Sequence, residues 1–250
     1  LNFNNIVANN NSNRAIYVQD ASYNIFNNLI ANYNNISVEF RELSRYSQFN
    51  TINTFDFNYN KKGIVLVSSY GNTISNGRIN STSGNAVEVF TSSVSFANYL
   101  SNVAISNTNF SFYDLKVSVP DIGELSLNNM PHIGNYSFDA GGNLITINNS
   151  FGEIKFLNGI TGSGTNLTAD VRIGNNSATV MSNINPGLNR SANITLYGIG
   201  ERGFVSPVLL RDSLNCGNSC NNFTALNASE VRFNVTGWTD YSIGEEVYLS

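Results

Sequence analysis

The sequence predicts an all-β protein in two parts, a parallel β-helix over residues 1–150 and a β-sandwich over residues 151–250. Three observations lead there. A motif of aliphatic residue, spacer, Asn, two spacers and aliphatic residue recurs along the first part. Helix signals are nearly absent. From about residue 151 the repeat gives way to short alternating strands between turn residues.

The motif is clearest at Ile74-Ser75-Asn76-Gly77-Arg78-Ile79. Copies stand at Ile25–Ile30 and Ile105–Phe110, a degenerate one with Thr in the Asn slot at Ile52–Phe57, and a fainter one at Leu1–Ile6. The steps between first aliphatic residues are about 24, 27, 22 and 31. A drifting period in the twenties is the mark of a solenoid, one coil per repeat. A second strand follows in each coil, as at Ala15–Val18, Gly63–Leu66 and Ala86–Val89. Alternation there points Ile16, Val18, Ile64, Leu66, Val87 and Val89 inward. Coils stacked at a strand spacing of about 4.8 Å would bury the aliphatic pair and leave the Asn at a corner, because Asn tolerates the left-handed conformation. Asn27, Asn76 and Asn107 are then expected to form a hydrogen-bonded ladder along the stack. Residues 39–50 and 91–101 read as protruding loops. Glu39–Tyr46, the one stretch with a helical charge mix, reads as a loop or single turn.

The repeat blurs over 112–150. Val117–Val119 and Leu125–Leu127 suggest a last irregular coil. Tyr136–Phe138 and Leu144–Ile147 flank Asp139-Ala140-Gly141-Gly142-Asn143, which reads as a hairpin. In the second part, strands are expected at 153–157, 166–173, 178–181, 193–197, 208–211, 231–235 and 246–249, with Trp238 as a core or edge aromatic.

Composition narrows the class. The chain has 250 residues, a net charge of −4, only 12% charged residues and 45 asparagines. Its surface must be polar but mostly uncharged, and nucleic-acid binding by phosphate neutralisation is not expected. No apolar run is long enough for a membrane span. The chain begins in mid-pattern at Leu1, as a mature product or a fragment would. Cys216 and Cys220 cannot build a four-ligand zinc site with the single, distant His132, so they read as a disulfide and imply an oxidising, extracytoplasmic setting. Asn-x-Ser/Thr sequons begin at Asn10, Asn35, Asn80, Asn109, Asn135, Asn148, Asn166, Asn175, Asn189, Asn193, Asn222, Asn227 and Asn234. A chain so rich in Asn, Ser and Thr generates many by chance. Together with low charge and the cysteine pair they favour a secreted glycoprotein.

The paired strands Gly63-Ile64-Val65-Leu66 and Asn72-Thr73-Ile74-Ser75-Asn76 resemble the right-handed parallel β-helix repeats of the pectin-lyase-like superfamily. They are most similar to the Asn-rich repeats of archaeal surface proteins and of the periplasmic copper-binding β-helix family, over roughly residues 1–115. Phe151–Phe156, Pro186–Gly198, Leu210-Arg211-Asp212, the two cysteines and Phe233–Gly244 resemble the immunoglobulin-like module that follows such arrays. This second likeness implies an extracellular module with a small local disulfide, not a reaction.

A β-helix glycosidase needs paired carboxylates, but the only adjacent acids, Glu245-Glu246, lie in the second part. Arg78, Asp56 and Glu88 could share a face of the coil and read best as solvated charge. One His and two Met supply no copper set. The expectation is a protein without catalytic activity, cofactor or metal. A structural or assembly protein of a cell surface comes first. Its exposed first coil, Leu1, Phe3 and Ile6, would pair head to tail with another copy by strand addition. The alternative is a carbohydrate-binding or carbohydrate-cleaving β-helix, with Tyr17, Tyr70, Tyr99 and Tyr113 lining a groove beside Asp56 and Glu88.

Overall fold

The computed structural model describes residues 1–43, 47–90, 95–120, 123–217 and 220–245. It is all-β with 5% helix and contains a parallel β-solenoid of about six turns. One parallel sheet runs through β1 (Asn2–Val7), β3 (Ile25–Asn32), β5 (Thr51–Asn58), β7 (Thr73–Asn80), β9 (Ser95–Ser106) and β11 (Gly123–Asn128). The other runs through β2 (Arg14–Gln19), β4 (Ile36–Arg41), β6 (Lys62–Val67), β8 (Val87–Phe90) and β10 (Leu115–Ser118). Each coil contributes one strand to each sheet, so the backbone ladder joins neighbouring coils rather than neighbouring residues.

The register explains the apolar pattern. Phe26, Ile52, Ile74 and Leu100 are stacked partners, as are Ala31, Phe57, Ile79 and Ile105. On the second sheet Ile16, Val38, Ile64 and Val87 form one column, and Val18, Phe40, Leu66 and Val89 another. All lie in the core, with Ile16 partly buried at the first coil. The strands of the first sheet bend in the middle at Asn5, Asn28, Thr54, Asn76 and Asn102, whose φ values are 55°, 57°, 63°, 56° and 53°. Asn is the side chain that enters this left-handed region most readily, which is why four of the five are Asn. After each bend the alternation restarts, so Leu29, Phe55, Gly77 and Val103 again point inward.

The motif copies do not all align as their spelling suggests. Ile52 does pair with Ile74, but Phe26, not Ile25, is their partner, and Ile105 pairs with Ile79. The hairpin expected at 139–143 is also absent. Residues 136–149 form one long strand, β12, whose first part runs parallel to β10 and whose second part runs parallel to β11. Both pairings are parallel, so the chain passes from one sheet to the other without reversing. Strand β4 replaces the first residues of the expected loop at 39–50, and residues 44–46 of the Glu39–Tyr46 stretch lie outside the described residues.

Antiparallel strands close this end of the stack. β13 (Gly152–Phe156) pairs with the second part of β12, and β14 (Ile160–Gly164) mainly with the first. The first sheet then continues through β13 into β17 (Ala192–Tyr197), β21 (Glu230–Val235) and β20 (Asn221–Asn222). A separate antiparallel sheet contains β15 (Val171–Ile173), β16 (Ser177–Val180), β22 (Asp240–Glu245), β18 (Pro207–Arg211) and β19 (Leu214–Asn215). Phe156, Trp238, Tyr241 and Phe233 pack together, with ring centroids 5.8 to 6.3 Å apart along the chain of contacts. Trp238 is 3% exposed and belongs to this core. The strand expected over 166–173 begins instead as a helical turn, α1 (Leu167–Asp170), because Asn166 caps it by accepting the Ala169 N–H at 3.0 Å. The strand expected at 246–249 lies outside the described residues.

Gly77 shows how tightly the columns interlock. It faces the Phe55 ring one coil below, and a Cβ there would lie 2.2 Å from Phe55 Cδ1. A substitution Gly77→Ala is therefore expected to overpack the column and lower unfolding free energy by about 1–3 kcal/mol. A shifted urea midpoint checks this, and an unchanged midpoint would mean that Phe55 repacks freely.

Candidate functional site

Three features of the coil surface bear on function: the asparagine ladders, the charged outer faces and the edge of the first coil.

The strongest ladder is buried. Asn24 N–H and Nδ2 both donate to Asn50 Oδ1 at 3.0 and 2.9 Å. Asn50 makes the same pair of bonds to Asn72 at 3.0 and 3.1 Å, and Asn72 to Asn98 at 3.2 and 3.1 Å. The remaining Nδ2 protons reach carbonyls of the preceding turn: Asn50 donates to Ala21 O, Asn72 to Ser47 O and Asn98 to Ser69 O. Exposures of 8%, 0%, 0% and 1% place all four in the interior. A second buried ladder joins Asn11, Asn34 and Asn60 with the same two-bond geometry, and Thr82 and Thr108 continue it by a hydroxyl contact of 3.3 Å.

The asparagines singled out from sequence occupy three different positions of the coil. Asn27 donates to Asn4 and Asn2 on the first sheet. Asn76 sits at the mid-strand bend, donates to Asn53 and accepts from Asn102. Asn107 stands past the end of β9 and donates to Asn80. They do not touch one another, and their stacks are exposed or half-buried. The buried ladder had its own signature, Asn-x-apolar, at Asn24-Ile25-Phe26, Asn50-Thr51-Ile52, Asn72-Thr73-Ile74 and Asn98-Tyr99-Leu100.

Three carboxylates of the coil are paired with cations. Glu39, 1% exposed, lies between Arg14 and Arg41, with Arg41 Nε at 2.5 Å. Burial alone would raise its pKa, but the hydrogen bonds from Arg14 and Arg41 outweigh burial and hold it below the ordinary carboxylate value. Asp56 is bridged by Arg78 of the next coil at 3.1 and 2.7 Å, a hydrogen bond that lowers its pKa. Glu88, 2% exposed, bonds Lys62 Nζ at 2.6 Å and Asn85 Nδ2 at 2.5 Å. Asp56 is on the first sheet and Glu88 on the second, so Arg78, Asp56 and Glu88 do not share a face. The tyrosines are dispersed as well. Tyr17 is exposed on β2, Tyr99 is exposed on β9, Tyr70 is buried at a bridge to Gln48, and Tyr113 lies beside Lys116.

The first coil is built from β1 and β2. Among the described residues β1 pairs only with β3, and β2 only with β4. Leu1 is 82% and Val7 63% exposed; Phe3 stacks on Phe26 with centroids 5.0 Å apart, and Ile6 is half-buried. A shallow cleft of about 300 Å³ beside this edge is lined by Val7, Leu29, Ile30 and Phe55. Both buried ladders point the same way, each coil donating to the next. Among the described residues Asn24 and Asn11 therefore stand at the donor end of each ladder.

Cys216 and Cys220 stand at disulfide distance, with Cα atoms 5.9 Å apart. Of the sequon asparagines, Asn10, Asn109, Asn175, Asn189, Asn193, Asn222 and Asn227 are exposed; Asn35, Asn80, Asn135, Asn148, Asn166 and Asn234 are half-buried. In Asn80, Asn135, Asn222 and Asn234 the nitrogen that a glycan would join donates a hydrogen bond. No helix is long and apolar enough to cross a membrane. One concavity has no counterpart in the sequence reading. A cleft of about 660 Å³ lies between the last coil and the separate sheet, floored by Leu127, Ile133, Ile147 and Leu167 and rimmed by Arg172 and Asp240. Its residues are too far apart in the chain to form a motif. Comparison with known protein families, characterised proteins and solved structures gives no match.

Two outcomes follow from the buried polar groups. Asn50→Ala strips Asn24 of its acceptor and is expected to cost about 2–4 kcal/mol, whereas Asn27→Ala on the surface costs below about 0.5 kcal/mol; urea unfolding of both variants measures the difference. Glu39 has a depressed folded-state pKa, so its stabilisation is present above the ordinary value of 4.5 and is lost as pH falls through the lower folded value. Glu39→Gln should be less stable at neutral pH and show a shallower decline below that value, read from unfolding midpoints across the acid range.

Proposed function

We propose that this chain is an extracellular structural protein of a cell surface, such as a filament subunit, layer component or adhesin stalk, that associates with copies of itself through exposed β edges. The reading rests on the first coil: among the described residues β1 and β2 each pair on one side, beside an apolar rim of Leu1, Phe3 and Val7. A strand laid there in register would extend the backbone ladder and cover Phe3 and Val7. β13 and β14 occupy the other end of the stack. In a head-to-tail chain the donated strand therefore comes from an edge of the antiparallel unit rather than from a coil, a heterologous contact that can propagate.

Other features fit the same reading. The buried Glu39 carboxylate is held between Arg14 and Arg41. The ladders make a stiff rod from a low-charge sequence. A right-handed coil, an immunoglobulin-like arrangement of the two antiparallel sheets, a disulfide formed outside the cytoplasm and glycans on the exposed sequons belong to this proposal. Such glycans would hydrate an uncharged surface and hinder lateral aggregation. The test is assembly itself. Concentrated protein should form elongated particles by light scattering and electron microscopy, and Phe3→Lys, which sets a charge on the apolar rim, should remain monomeric with an unchanged circular dichroism spectrum. A wild-type protein that stays a monodisperse monomer, or a Phe3→Lys variant that assembles equally well, would remove the proposal.

A further inference from the structure

Lys62 and Asn85 stand at matching positions of successive coils. Lys62 opens β6, Asn85 precedes β8, and the pairing of Ile64 with Val87 sets the two side by side. The backbones approach closely on either flank. A Cβ on Gly63 would lie 2.6 Å from Ala86 O, and one on Gly84 would lie 2.7 Å from Lys61 O. Glu88 lies under the pair, 2% exposed. Its Oε2 accepts from Lys62 Nζ at 2.6 Å, and its Oε1 accepts from Asn85 Nδ2 at 2.5 Å. Asn85 Oδ1 in turn accepts the Tyr113 backbone N–H at 2.9 Å.

This arrangement differs in kind from the other buried carboxylate on the same sheet. Glu39 holds two guanidinium groups, which offer neither a nucleophile nor an acyl carbon. Glu88 holds a primary amine and a primary carboxamide on the two oxygens of one carboxylate, and the carboxamide oxygen already rests on an N–H donor. Those are a nucleophile, an electrophile, a proton carrier and an oxyanion donor in one place. We propose that Lys62 and Asn85 become joined by an intramolecular amide bond, with Glu88 carrying the protons.

The step balances without a co-reactant. Lys62 Nζ first passes a proton to Glu88, which leaves a neutral amine beside a neutral acid. The Nζ lone pair attacks Asn85 Cγ, and the carbonyl π electrons move to Oδ1, where the Tyr113 N–H stabilises the charge. Glu88 gives its proton to Nδ2 and takes the second one from Nζ. The Cγ–Nδ2 bond breaks as the carbonyl re-forms, and ammonia leaves through the partly exposed Lys62 side, taking up the remaining proton from Glu88. The net change turns a lysine ammonium and an asparagine carboxamide into a secondary amide and an ammonium ion. Nothing is oxidised or reduced. The product would tie two coils covalently in a solenoid whose coils are otherwise held side by side by hydrogen bonds and packing, and it closes a loop that constrains the unfolded chain. It stands independently of any self-assembly.

The test is mass spectrometry of the full chain made in cells that do not N-glycosylate, after reduction and denaturation. The expected result is an intact mass lower than that of the sequence by one ammonia. Tryptic digestion should give a branched peptide joining the segments around Lys62 and Asn85, uncleaved after Lys62. Lys62→Arg keeps a cation beside Glu88 but no competent amine, and Glu88→Gln removes the proton carrier; both should show the full mass and no branched peptide. The proposal is overturned by a folded wild-type protein of full sequence mass. It is equally overturned if the ammonia loss maps to a cyclic imide elsewhere, as at Asn76-Gly77, or persists in Lys62→Arg.

Discussion

The paired hydrogen bond from one asparagine to the next, backbone N–H and side-chain Nδ2 onto a single Oδ1, is the constraint on which the coil depends. A solenoid turns its chain several times per coil, and at each corner backbone groups leave the sheet ladder. Those corners lie close to a core of Ile, Leu, Val and Phe, where an unpaired N–H or C=O is costly. Asn24, Asn50, Asn72 and Asn98 resolve this at one corner, and Asn11, Asn34 and Asn60 at another. Asn suits the role because its amide both donates and accepts along one line, so that identical residues satisfy one another at the spacing that the strands impose.

A ladder built this way has a direction, and its two ends are unequal. On the first coil Asn24 and Asn11 donate along the ladders to the next coil. At the far end the chain changes its own pairing rule. β12 crosses between the sheets, and Asn143, fully buried, accepts from Val119 N–H at 3.1 Å and donates to Ile160 O at 3.1 Å. Tyr136 then donates to Asp170 at 2.7 Å and accepts from Asn185 at 2.9 Å, which anchors the last coil to the antiparallel unit. Burial, with the bond to Asp170, pushes the Tyr136 hydroxyl well above its usual pKa, so it stays a donor. The far end of the stack is thus finished by antiparallel strands of the same chain.

Much of the solenoid was legible in the sequence because burial in a stacked coil leaves a period. The inward residues of the second sheet follow from alternation alone. A left-handed bend could be read from Asn76, since few other side chains enter that region, but it falls inside β7 rather than at the expected corner between strands. What misled the register was degeneracy: with so many Asn and aliphatic residues, Ile25 and Ile105 fit the same spelling as Ile74 while standing one or more residues out of step. The buried ladder was obscured for the same reason, although Asn-x-apolar marked it. The hairpin expected around Gly141-Gly142 is a case where local turn chemistry yields to tertiary pairing: two sheets at once claim β12 in parallel. The candidate edge at Leu1, Phe3 and Ile6 could be named from the motif, but the direction of the ladders that gives it meaning required coordinates.

The claim that the asparagine ladder holds the coils together is tested most directly by amide hydrogen exchange. The N–H groups of Asn24, Asn50 and Asn72, which donate to side chains rather than to a strand, should exchange only when the protein unfolds globally, as slowly as the amides of Ile52 and Ile74. Exchange of the Asn amides by local opening, orders of magnitude faster than those strand amides, would contradict the account and make the ladder a decoration of the coil rather than its support.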